Sequence, residues 1–266
     1  MFSLDPRGGH NRYSCNIDFF KKWTPEMAYV LGFLYADGDI QDVRDSSRAQ
    51  YVHFASKDRD ILEAIKNALK SEHKIYYRAP KKTLYANGKI YENSGIYSLR
   101  IGSKKMFNDL LEFGLTPRKS LSVKFPSIPS HYFPYFARGY FDGDGCITIK
   151  RGIGKYGQRI LKGIAVIFTS GNSLFLEGLR NEAHGFAGLG KRSVYYGKSS
   201  RAYYLKYNTF ESLKWFKVFY SSNLSNKLFL ERKFNVFKKY FGMRPIRIDK
   251  EIATILKKIR PSIQVV

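Results

Sequence analysis

Cysteine is almost missing from this chain: Cys15 and Cys146 are the only two among 266 residues. Two are too few for a disulfide framework or a zinc site built on cysteine. Acidic residues are also scarce, 22 Asp and Glu against 46 Lys and Arg, so the net charge is +24. An excess of that size disfavours basic partners and points to a polyanion, of which nucleic acid is the common case. No apolar run approaches the roughly 20 residues that cross a bilayer, and the first residues do not read as a secretory signal. The expected setting is a reducing one, cytoplasmic (nucleoid-associated) or an organellar matrix. Aromatic side chains, by contrast, are plentiful. With 20 Tyr, 21 Phe and 44% hydrophobic residues, the chain can bury one large or two modest cores.

The most informative stretch is P-S-H-Y-F-P-Y-F-A-R-G-Y-F-D-G-D-G-C-I-T-I, residues 129–149. Read as a helix from Ser130, it carries Tyr132, Phe133, Phe136, Tyr140 and Phe141 along one stripe. Gly139 sits inside that helix, where glycine costs about 1 kcal/mol relative to alanine. Asp142 and Asp144 follow as the helix gives way to Gly145 and a β-type run. Residues 25–40, P-E-M-A-Y-V-L-G-F-L-Y-A-D-G-D-I, repeat the design. Setting Gly32 on Gly139 places Ala36 on Gly143, Asp37 on Asp144 and Gly38 on Gly145, 107 residues apart. Tyr35 stands where the second copy has Asp142, so only the last acid is duplicated. Two copies predict two related halves.

Helices whose facing positions are Gly32 and Gly139 can pack backbone to backbone. Such packing sets Asp37 and Asp144 side by side, each at the negative end of its own helix. Stability alone does not favour that arrangement, whereas a hard divalent cation would. A calcium loop of the EF-hand type is a poor rival, because Gln41 and Cys146 stand where such a loop needs its early oxygen ligands.

V-L-G-F-L-Y-A-D-G and A-R-G-Y-F-D-G-D-G resemble the two motifs of single-chain LAGLIDADG homing endonucleases, and the likeness extends over roughly residues 20–240. The resemblance implies an α+β fold of two pseudo-symmetric αββαββα halves. Each would carry a saddle-shaped antiparallel sheet for DNA binding, with the motif helices packed at the interface. It also implies that Asp37 and Asp144 hold metal and act one per DNA strand, with the carbonyls of Ala36 and Gly143 completing the metal shell. Mg²⁺ is the expected cofactor, with Mn²⁺ as a substitute and Ca²⁺ supporting binding without cleavage. Lys57, just after the second strand, matches a basic residue that serves the cleft; the same register in the second half gives Gly171. The implied activity is site-specific cleavage of both strands of a long, asymmetric duplex by a monomer. The alternative from a different class is an intron RNA maturase, with intron RNA as partner, or a non-cleaving DNA-binding regulator.

The order of patterns along the chain agrees. Residues 1–20 read as an arm, 21–120 as the first half, 121–130 as a proline-containing linker, 131–240 as the second half and 241–266 as a basic tail. In the first half the expected elements are a helix from Thr24-Pro25-Glu26, two strands within 39–56, a helix over 57–69, strands near 73–79 and 95–102, and a helix over 103–113. In the second half, strands fall near 145–151 and 160–169, followed by a helix near 172–183. Strands near 191–197 and 201–208 and a helix over 209–220 complete it. Alternating polar positions on these strands are the candidates for DNA contact. In the first half they are Arg44, Arg48, Gln50, Lys74, Tyr76, Arg78, Ser98 and Arg100. In the second they are Thr148, Lys150, Lys162, Lys191, Ser193, Tyr195, Arg201 and Tyr203. The halves differ at nearly all of these positions, so the expected target is not a palindrome.

Overall fold

The structure is a computed structural model and describes residues 13–44, 49–84, 88, 90–92, 94–221 and 228–259. Arg48, residues 45–47 between the first two expected strands, most of the expected N-terminal arm and the end of the expected basic tail lie outside the described residues.

Helix α1 (Pro25–Ala36) begins where the sequence signals a start. The Thr24 hydroxyl accepts from the amide of Met27 at 3.1 Å, Pro25 occupies the first turn, and Glu26 faces the positive end of the helix. Every residue from Met27 to Tyr35 is buried, which explains why it is apolar on all sides rather than along a stripe. Its counterpart α4 (Phe133–Asp144) starts later than Ser130, because a 3-10 turn (Ser130–Tyr132) comes first. Pro134, which has no amide proton to donate, sits in the first turn of the α-helix proper.

Each helix leads into a four-stranded antiparallel sheet. In the first half β1 (Gly38–Val43), β2 (Ala49–Ser56), β3 (Ile75–Arg78) and β6 (Ile96–Gly102) are ordered β1-β2-β6-β3. Helices α2 (Arg59–Ala68) and α3 (Lys104–Glu112) complete that half. Between β3 and β6, where the sequence shows only a long connection, a two-stranded hairpin forms from β4 (Lys82–Leu84) and β5 (Ile90–Glu92). Strands of three residues are too short to show an alternation.

In the second half β7 (Gly145–Ile153), β8 (Arg159–Ser170), β9 (Val194–Gly197) and β10 (Ala202–Tyr207) are ordered β7-β8-β10-β9, with helices α5 (Ser173–Ala187) and α6 (Thr209–Tyr220). The two halves therefore repeat one topology. Beyond them come α7 (Glu231–Met243) and α8 (Lys250–Lys258).

One continuous core runs through both halves. Its centre is the α1–α4 contact, which is backbone on backbone. A Cβ built on Gly32 would stand 2.1 Å from the carbonyl oxygen of Phe136, and one on Gly139 would stand 2.0 Å from that of Tyr29. Nothing larger than hydrogen fits at either position, which is what offsets the helix cost of glycine. Around this contact the aromatic residues cluster: Tyr35 and Tyr140 both meet Phe175, Trp215 stacks on Phe219, and Phe168 packs against both.

Candidate active site

The close helix packing decides where the motif acids stand. Asp37 follows the last residue of α1 and Asp144 is the last residue of α4. A Cβ on Gly143 would meet the Cβ of Ala36 at 2.3 Å and the amide of Asp37 at 3.2 Å, so the two helix ends touch. Burial first, and then the neighbouring Asp37 carboxylate, push Asp144 up to about 6, while Lys119 and Lys233 pull the other way. Crowding by protein also raises Asp37, opposed by Lys233, Lys119 and Arg232, although its outer edge meets solvent. Among the described residues no donor lies within hydrogen-bonding distance of either carboxylate. Two acids without donors, crowded together at the negative ends of two helices, form a site of unspent negative charge.

Two buried lysines flank it. Lys119, in a 3-10 turn (Lys119–Leu121) before the linker, donates to the carbonyls of Tyr35 at 3.1 Å and Ala36 at 3.2 Å. Lys233, in the first turn of α7, donates to the carbonyls of Phe141, of Asp142 at 2.8 Å and of Gly145 at 2.6 Å. Each ammonium thus caps the C-terminus of one motif helix, where the backbone carbonyls lack partners. They are 6% and 4% exposed. Burial lowers both, Lys233 to about 8, against the upward pull of the nearby carboxylates. Sequence reasoning missed this pair. The signal was there in the dipeptides Arg118-Lys119 and Arg232-Lys233, with each lysine 82 or 89 residues after the motif acid of its own half, but in so basic a chain it does not stand out.

Lys57 is exposed just past β2, and the cations that act most on Asp37 are Lys233, Lys119 and Arg232. Its neighbour Asp58 instead pairs with Arg232 at 2.8 Å, joining the first half to the helix that carries Lys233. The matched position Gly171 leans on the other lysine segment, since a Cβ there would stand 2.2 Å from the carbonyl oxygen of Ser120.

The donor set of these residues fits a divalent metal. Asp37 and Asp144 have oxygens to give, and a carbonyl that accepts one ammonium retains a second lone pair, so Ala36 and Gly143 remain available. Among the described residues no group of three His, Cys, Asp or Glu forms a complete cage. Two carboxylates are a donor set that a hard divalent cation accepts when phosphate oxygens and water complete its shell.

Flanking the acids, each sheet presents one face to solvent. In the first half Asp39, His53 and Arg100 align across β1, β2 and β6, and Ser98 aligns with Tyr76. His53 Nδ1 lies 2.6 Å from Asp39. Burial pushes the Asp39 carboxyl up, but hydrogen bonds from His53 and Gln41 outweigh it and hold it low. Arg100 stacks over the ring of Tyr51 at 3.7 Å. Lys74 and Arg78 are exposed in the same phase as Tyr76, and Arg44 makes a bidentate pair with Asp42.

In the second half Thr148 is exposed, and Lys150 reaches Asn208 at 3.1 Å. Lys162 is the extra residue of a bulge between β7 and β8 and lies over Gly152. Lys191, Ser193 and Tyr195 are exposed, as is Arg201, which takes up a left-handed backbone (φ 53°) in the turn before β10.

Two expected readers point elsewhere. Gln50 is buried and donates to Asp42 at 3.3 Å, because the core claims Val52 and Phe54 and therefore the whole even-numbered phase of β2. The outward residues there are Tyr51 and His53. Tyr203 likewise shares the core phase of Leu205 and Tyr207, leaving Tyr204 and Lys206 on the solvent face of β10.

Two halves of one topology, meeting through glycine-faced helices that each lead into an acid, define a pseudo-dimeric α+β protein with its candidate site where the two halves meet. Residues 24–113 match the family model described as a LAGLIDADG-like domain. The match falls within the first half, and the second half repeats its topology. Among solved structures, the I-LtrWI LAGLIDADG homing endonuclease bound to target DNA is similar over 92% of this chain and 99% of its own, at 15% identity and a TM-score of 0.51. I-AabMI bound to uncleaved DNA (15% identity, covering 88% and 97%, TM-score 0.48) and I-DmoI in complex with DNA and Ca (17%, covering 79% and 93%, TM-score 0.48) are also similar. No curated protein sequence matches the chain.

Proposed function

We propose that the protein is a site-specific endonuclease of the homing type, cutting both strands of a long asymmetric duplex with Mg²⁺ or Mn²⁺. One observation carries the reading. Asp37 and Asp144, without donors of their own, are crowded together by the α1–α4 contact, between two sheets whose solvent faces carry Arg, Lys and Tyr. The net charge of +24 suits a phosphate backbone. The related structures bound to DNA supply the same expectation by analogy of fold.

Hydrolysis adds water across one P–O bond per strand, with negative charge growing on the phosphate and on the leaving oxygen. Asp37 and Asp144 would hold the cation, which on binding supplies an acidified water and neutralises phosphate charge. Lys119 and Lys233, one at each helix end, set positive charge beside the same oxygens. Each centre would serve one strand. Lys57, Arg78, Arg100, Lys150, Lys162 and Lys206 would hold phosphates, and the Asp39–His53 row and its neighbours would meet base edges. Ca²⁺ would support binding without turnover.

The test is incubation of the protein with host genomic DNA in Mg²⁺ and in Ca²⁺, followed by sequencing of all new ends. Staggered breaks at one locus, present in Mg²⁺ and absent in Ca²⁺ and in Asp37→Asn or Asp144→Asn, are expected. Either variant cutting both strands at the normal rate would overturn the two-carboxylate reading.

A further inference from the structure

The residue two before each motif acid differs between the halves, Tyr35 in one and Asp142 in the other, yet both side chains do the same structural job. The Tyr35 hydroxyl donates to the carbonyl of Phe113, the C-cap of α3, from which the chain runs through Leu115 to Lys119. Asp142 accepts from the amide of Leu230 at 2.9 Å, the N-cap residue of α7, three residues before Lys233. In both halves the backbone of this same residue accepts from the lysine: Tyr35 O from Lys119 at 3.1 Å and Asp142 O from Lys233 at 2.8 Å. One motif position therefore holds each lysine by its carbonyl and the lysine-bearing segment by its side chain.

Both tethers are buried. Asp142 is 1% exposed, and Tyr29 donates to the same carboxylate oxygen at 2.8 Å, which fixes its direction. Tyr35 is 2% exposed, with its ring held between Phe136 and Phe175. The reach explains the chemistry of each choice. The end of α3 lies far enough away to need a phenol, and what it offers is a carbonyl, which requires a donor. The start of α7 lies close and offers an amide, which requires an acceptor. A tyrosine and an aspartate are thus interchangeable in role while opposite in polarity.

We propose that Tyr35 and Asp142 are positioning residues for Lys119 and Lys233 respectively, each governing one DNA strand. This rests on the endonuclease reading above. The test uses the full-length protein and its duplex site labelled on both strands, with single-turnover nicking of each strand measured in Mg²⁺. Lys119→Met and Lys233→Met first establish which strand each lysine serves. Tyr35→Phe, which keeps the ring and removes one hydroxyl, should slow the strand slowed by Lys119→Met by about tenfold, the rate equivalent of one net hydrogen bond. The other strand should stay within about twofold. Asp142→Leu should slow the Lys233 strand, and Asp142→Asn, which keeps an acceptor for Leu230, should restore most of it.

Melting temperature and Ca²⁺-supported DNA affinity serve as readouts besides cleavage. In Tyr35→Phe both should stay near the starting protein. Equal slowing of both strands, or no change in Tyr35→Phe while Lys119→Met is impaired, would overturn the proposal. Normal cutting by Asp37→Asn and Asp144→Asn would instead overturn the reading beneath it, so the two failures are distinct.

Discussion

Gly171 lies so close to Ser120 that a Cβ on the glycine would come within 2.2 Å of the serine carbonyl oxygen. The first half places Lys57 at this register, and the second half has no room for any side chain. The pseudo-symmetry of the molecule is thus broken by packing of the Lys119 turn, and Gly171→Lys cannot restore it. Gly171→Ala should destabilise the protein by about 1–3 kcal/mol, as overpacking against backbone does, seen as a lower urea midpoint. An unchanged midpoint would mean that the turn yields freely.

The motif glycines should be the least replaceable positions. Gly139→Ala and Gly32→Ala each drive a methyl into carbonyl oxygens 2.0–2.1 Å away, and each should cost about 3 kcal/mol or more, since neither helix backbone can retreat alone. Gly185 in α5 is the control. Nothing lies within 4 Å of its Cβ direction, so Gly185→Ala should be neutral or stabilising by up to about 1 kcal/mol.

The acid pair makes stability depend on pH. Asp144 is raised from 3.8 to about 6, so the native state holds a proton that the unfolded chain has released. Its penalty is absent below about 4, grows as pH rises and is complete above about 6. Metal-free Asp144→Asn should therefore melt above the starting protein at pH 7, with the gain vanishing near pH 4. Ca²⁺ should raise the melting temperature more at pH 7 than at pH 5, because at pH 5 a proton competes for the same carboxylate.

Sheet residues should act on DNA affinity rather than on folding. Arg100→Ala and Lys206→Ala, on the solvent faces of β6 and β10, should each weaken binding and reduce the slope of log affinity against log salt by about 1 if the side chain holds a phosphate. Gln50→Ala should leave that slope unchanged, since Gln50 is buried against Asp42.

How much of this could be read from the residues varies with the range of the forces involved. Helix α1 could be placed at its first residue, because Thr24, Pro25 and Glu26 satisfy a helix start locally. The phase of β2 could not, since Arg48-Ala49-Gln50 alternates as plausibly as Tyr51-Val52-His53. Only the demand of the core for Val52 and Phe54 settles which set faces out. The same demand, acting through Leu205 and Tyr207, turned Tyr203 inward and left Tyr204 and Lys206 outside.

The sequence by itself determined that there are two halves, that helices with glycine faces join them, and that one acid is duplicated. Those facts reside in a repeat and in residue types whose backbone preferences are local. Tertiary structure alone decided which cations attend the acids. Lys119 and Lys233 come from a 3-10 turn and a helix start, 82 and 89 residues beyond Asp37 and Asp144, brought there because the open carbonyls at each helix end require a donor and burial lets only a partnered ammonium stay. No periodicity encodes that meeting, because it joins segments distant in the chain through hydrogen bonds that exist only once the core has closed.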